Sequence, residues 1–182
     1  MQSVIDGDME VEAKFDSPLG EGFRSQGILI EQDPLNLLRI EFHAVAGQTK
    51  VFAASIFGPT RDIWTNRSLN LTAPMYLRVT RIGDSWTVSH SPDGDAWTVA
   101  TTFEQPMSVT RVGPYAGNAV GVPHTALVDY FSNTASPPPD VRAPEIEGVE
   151  ISTNSEKAIV TWTTNEPATS VVDYGTSTAY GA

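Results

Sequence analysis

The polar side chains best suited to holding a ligand come in alternating runs. Arg39, Glu41 and His43 are spaced two apart, as are Arg24 and Gln26, and Tyr76 and Arg78. In an extended chain, residues two apart point to the same side. Each set therefore shares a face of its strand. If these strands lie in one sheet, they build a platform of Arg, Glu, Gln, His and Tyr. Such a platform can grip hydroxyls, or a uronate carboxylate through a bidentate guanidinium. The alternative is a solvated sheet face with ion pairs running between strands. Tyr115, in Pro114-Tyr115-Ala116-Gly117-Asn118, falls near a strand edge from which it can line the same groove.

Aromatic faces stack on sugar rings. Of the four tryptophans, Trp86 and Trp97 adjoin turns and read as packing residues. Trp64 differs. It lies in Thr60-Arg61-Asp62-Ile63-Trp64-Thr65-Asn66, a polar segment without alternation, which reads as a loop. There it is either a ligand-stacking residue or a loop anchor.

For a metal, Asp6, Asp8 and Asp129 are the carboxylates expected where the first and last strands of a sandwich meet, a place for one structural Ca²⁺. Asp93 and Asp95 offer an alternative loop site, although acidic residues also form turns without any ion. His43, His90 and His124 show no metal-ligand spacing, and there is no cysteine.

Glycoside hydrolysis needs two carboxylates about 5–10 Å apart, both facing the substrate. Glu10 and Glu12 share a face, but their strand is expected to be short and peripheral. No Ser-His-Asp set with any spacing logic is present. The chain is therefore read as non-enzymatic.

The elements that must carry these residues are strands. Met9, Val11, Ala13 and Phe15 alternate with polar residues, and so do Leu38, Ile40 and Phe42. Gly27-Ile28-Leu29-Ile30 is a short apolar run, the mark of a more central strand. Turn signals at Ile82-Gly83-Asp84 and Pro92-Asp93-Gly94 divide three short strands: Tyr76–Arg81, Ser85–Ser89 and Ala96–Thr101. No window carries a helical apolar stripe. Many short strands with frequent turns indicate a sandwich or barrel.

Composition narrows the partners. The chain has 182 residues, 40% of them hydrophobic, and a net charge of −11. That charge opposes binding to nucleic acid or to an anionic membrane surface. No run is long enough to span a bilayer. No basic region followed by an apolar stretch opens the chain, which is expected to be a piece of a longer precursor. Ser136-Pro137-Pro138-Pro139-Asp140 marks a linker. The expected organisation is a main domain over 1–135, a Pro-rich linker over 136–142, and a partial domain over 143–182 with strands at Ile146–Ser152, Ala158–Thr164 and Ser170–Tyr174.

Residues 5–135 resemble the concanavalin A-like lectin/glucanase superfamily, closest to the laminin G-like module. The resemblance rests on Gly7–Lys14, Ser25–Ile30 with Leu38–Phe42, Tyr76–Trp86, Ser91–Trp97, and a closing pair at Val112–Ala119 and Ala126–Phe131. The tail from Ala158 to Gly175 is similar to fibronectin type III repeats, in which Trp162 would be the core tryptophan. These resemblances imply an all-β chain: an antiparallel β-sandwich (concanavalin A-like jelly roll) followed by a partial immunoglobulin-like/fibronectin III segment. They also imply a secreted or cell-surface accessory module, linked to further domains and bound to a polysaccharide or other glycan. A ligand-free structural spacer, or a polysaccharide lyase or hydrolase of the same fold, are the alternatives.

Overall fold

The computed structural model describes residues 1–20, 22–118, 123–134, 144–154, 157–165 and 171–172. No helix occurs among them. The chain divides into two compact units, Met1–Pro138 and Pro139–Ala182.

The first unit is an antiparallel β-sandwich. Its strands are β1 (Gln2–Ser3), β2 (Met9–Phe15), β3 (Arg24–Asp33), β4 (Asn36–Val45), β5 (Gln48–Phe57), β6 (Thr60–Ser68), β7 (Met75–Ile82), β8 (Ser85–Ser91), β9 (Thr98–Glu104), β10 (Arg111–Asn118) and β11 (Val128–Asn133). A six-stranded sheet runs β1-β10-β3-β4-β5-β6, and a five-stranded sheet runs β11-β2-β7-β8-β9. The inner face of each sheet carries the apolar positions of the alternating runs. Val11, Phe15, Ile40, Phe42, Leu77 and Trp86 are all buried in one core between them.

Two features depart from the expected layout. The residues taken as a closing pair do not pair with each other: β10 lies beside β3 in one sheet and β11 beside β2 in the other. Topology, not chain proximity, chooses strand partners here. The strand carrying Glu10 and Glu12 is also not peripheral, because β2 is flanked by β11 and β7.

In the second unit, β12 (Ile146–Thr153) and β13 (Ala158–Thr164) form an antiparallel hairpin. Asn154 closes its turn by accepting from Lys157 N. Trp162 is half-buried within this unit. The third strand expected there, Ser170–Tyr174, lies mostly outside the described residues.

Candidate functional site

The outer face of the six-stranded sheet holds an unusual group. Alternation along β4 sends Leu38, Ile40 and Phe42 inward and Arg39, Glu41 and His43 outward. An outward glutamate is normally solvated, yet Glu41 is only 1% exposed and His43 only 3%. The neighbouring strands explain this. Gly27 on β3 and Phe52 on β5 stand directly opposite Glu41, and Tyr115 on β10 stands opposite Gly27. Glycine leaves room for the carboxylate to lie down on the sheet. The His43 ring lies between those of Phe23, stacked at 5.2 Å, and Phe52, tilted at 5.7 Å.

Every oxygen of Glu41 is occupied. Arg39 donates from Nη2 to Oε1 at 2.7 Å and from Nε to Oε2 at 3.0 Å. The Tyr115 hydroxyl donates to Oε2, and His43 Nδ1 stands 3.2 Å from Oε1. Burial alone would push the Glu41 carboxyl up. Hydrogen bonds from His43 and Tyr115, with the Arg39 charge, outweigh burial and hold it below the usual glutamate range. Burial and the adjacent carboxylate push the Tyr115 phenol well above its ordinary value, so it stays protonated and donates. Arg39 also lies over the rings of Phe52 and Tyr115, at 5.6 and 6.0 Å.

Beside this cluster is an open depression of about 450 Å³, lined by Phe23, Leu29, Leu37, Arg39, Ile56 and Tyr115, with Ser25, Gly117 and Asn118 at its margin. Its size is that of a small-molecule site, which typically spans about 300–1,000 Å³.

The remaining site expectations fare differently. Arg39, Glu41, His43 and Tyr115 are brought together. Gln26 is not on this face. It points into the core, where Ser17 Oγ donates to its Oε1 at 2.7 Å and its Nε2 donates to Ser17 O at 3.0 Å. Arg24 reaches Leu19 O at 3.3 Å and does not join the cluster. Tyr76 and Arg78 belong to the other sheet, so the single platform is split across two opposite faces of the sandwich. There Arg78 pairs with Glu12 at 2.7 Å and lies 3.8 Å over the Trp97 ring, while Tyr130 donates to Glu12. That face is a set of closed cross-strand pairs.

Trp64 is not in a loop. It lies in β6, at a bulge: Ala53 pairs with Thr65 and Ala54 with Ile63, which leaves Trp64 between them without a partner in the ladder. The extra residue breaks the alternation that marks a strand. Trp64 turns inward, stacks on Phe103 at 4.7 Å, and donates from Nε1 to Ser55 Oγ at 3.2 Å. It closes the sandwich where the edge strands β6 and β9 face each other.

The three metal candidates do not converge. Asp6 Oδ1 accepts from Arg81 and from Val109 N, and Asp8 Oδ1 accepts from Gly83 N. Asp129 is at the other end of β2, bound to Lys14 Nζ at 2.7 Å. In the alternative loop, Asp93 Oδ1 caps the amides of Asp95 and Ala96 and so acts as a turn former. Among the described residues, no three His, Asp or Glu side chains are grouped to hold an ion.

Sequence reasoning missed Gly27, Phe23, Phe52 and the aliphatic wall. Gly27 did carry a signal, because glycine inside a strand marks a close approach. Phe52 and Ile56 carried none, since Val51–Phe57 is apolar at every position but Ser55 and shows no alternation.

Similar folds are known. The GH43 protein BlXynB from Bacillus licheniformis matches with a TM-score of 0.61 at 16% identity, over 71% of this chain and 28% of that one. The xylan beta-1,4-xylosidase from Bacillus halodurans C-125 matches at 0.57 and 19%, over 69% and 27%. A functionally unknown protein from Saccharomyces cerevisiae matches at 0.57 and 18%, over 72% and 71%. At such identities the likeness is one of fold. The match thus spans less than a third of the two bacillar chains. No family model matches the chain, and no curated protein does.

Proposed function

We propose that this chain is a non-catalytic carbohydrate-binding module of a secreted or cell-surface protein, and that the depression beside Arg39 and Tyr115 receives the glycan. The observation that carries this reading is the buried Glu41. Burying an ion pair on an outer sheet face is costly and adds little stability over apolar packing. It does fix a guanidinium and a phenol at the rim of a preformed hollow. Glu41 and His43 are buried among Phe23, Phe52 and Gly27, so Arg39 and Tyr115, with Ser25 and Asn118, are the polar residues that line the depression. This favours holding over proton transfer. The −11 charge argues against nucleic acid as the ligand.

The fold neighbours add support of a weaker kind. One is a xylan beta-1,4-xylosidase, and the matching fold fills 27% of its chain, as an accessory part of a larger enzyme would. The test is affinity electrophoresis of the full chain against soluble plant, algal and bacterial polysaccharides. Retardation by one polymer class is expected. Free migration through every gel would overturn the reading in favour of a ligand-free spacer.

A further inference from the structure

The lining of the depression says more about the ligand, provided that it is a glycan as proposed above. The register places its residues. Leu29 stands opposite Arg39 across β3 and β4. Leu37, two residues along β4 from Arg39, stands opposite Ile56 across β4 and β5. Leu29, Leu37 and Ile56 are half-buried and line the hollow together with Phe23 and Tyr115. A bare hydroxyl set against these aliphatic side chains would lose its water and gain no partner.

Charge points the same way. The Arg39 cation is already matched by two bonds to Glu41. A uronate entering the hollow would meet a neutralised pair, on a chain of net charge −11. One edge of the guanidinium is still available: Arg39 uses Nε and Nη2 on Glu41 and Tyr115, and among the described residues Nη1 takes no partner. The site therefore offers an aliphatic wall, hydrogen-bond donors from Nη1, and no spare charge.

An acyl ester answers all three features. Its methyl group fits against Leu29, Leu37 and Ile56, its carbonyl oxygen accepts from Arg39 Nη1, and it is uncharged. We propose that the depression recognises uncharged, O-acetylated sugar residues of a polysaccharide.

The test uses native O-acetylated xylan and glucomannan, and the same polymers after alkaline deacetylation, with the full 182-residue chain. Binding is read by isothermal titration. Deacetylation is expected to weaken binding by about tenfold, the combined effect of one exposed methyl and one lost hydrogen bond. Leu37→Asn and Ile56→Asn, both at half-exposed positions, are expected to bring the two polymer forms within about twofold of each other, because the wall no longer favours the methyl. Equal binding of both forms by the wild-type chain would overturn the acetyl inference and leave the glycan-binding proposal standing. Binding of neither form would also overturn the acetyl inference, and the polysaccharide panel above then decides the glycan-binding proposal on its own.

Discussion

Gly27 and Glu41 face each other across β3 and β4, and the space that glycine leaves is where the Glu41 side chain begins. A Cβ on Gly27 would stand 2.1 Å from the Ile40 carbonyl oxygen, 2.6 Å from Glu41 Cα and 2.7 Å from Glu41 Cβ. Two of these atoms are backbone and cannot swing away. Gly27→Ala is therefore expected to destabilise the sandwich by about 1–3 kcal/mol through overpacking. Urea unfolding measures it, and an unchanged midpoint would contradict the close approach.

Glu41→Gln keeps the shape and removes the charge. The loss expected is about 3 kcal/mol, the lower end for breaking a buried pair, because Arg39 keeps some access to water. The pH dependence has a definite sign. The folded pKa of Glu41 is depressed, so its contribution is complete above the ordinary value of 4.5 and is lost as pH falls through the lower folded value. The stability gap between wild type and Glu41→Gln should thus narrow below about pH 4.5. Parallel unfolding curves from pH 7 to pH 3 would contradict this.

Trp64→Ala is expected to cost about 3 kcal/mol, since it removes the stack on Phe103 and the bond to Ser55. Glycan affinity of the folded variant should not change. Loss of binding without loss of stability would return Trp64 to the role its sequence context suggested.

Chelation is expected to leave the melting temperature unchanged. The side chains of Asp6, Asp8 and Asp129 already serve Arg81, Gly83 N and Lys14 respectively. A lower melting temperature in EDTA, restored by Ca²⁺, would show an ion site that these pairs do not explain.

The strands were legible because β2, β4 and β7 each have one apolar face, and alternation reports that directly, while the choice of a sandwich over a barrel came from the family resemblance. The trio Arg39, Glu41 and His43 was legible for the same reason. Sheet membership was not. Tyr76 and Arg78 carry the same pattern as Arg39 and Glu41, and nothing local distinguishes a strand of one sheet from a strand of the other. Trp64 was misread because a bulge imitates a loop: one inserted residue erases the period of two. Gln26 was misread because polar residues are expected outside, whereas Ser17 satisfies it inside.

The most direct test of the central claim compares three variants on whichever polysaccharide retards the wild-type chain. Arg39→Lys keeps a charge for Glu41 but loses the planar fork, Phe23→Ala opens one wall of the depression, and Trp64→Ala alters the distant sheet edge. Titration calorimetry should show the first two weakened by about tenfold or more and the third unchanged. Full affinity in Arg39→Lys and Phe23→Ala would place the glycan elsewhere on the molecule and contradict the account.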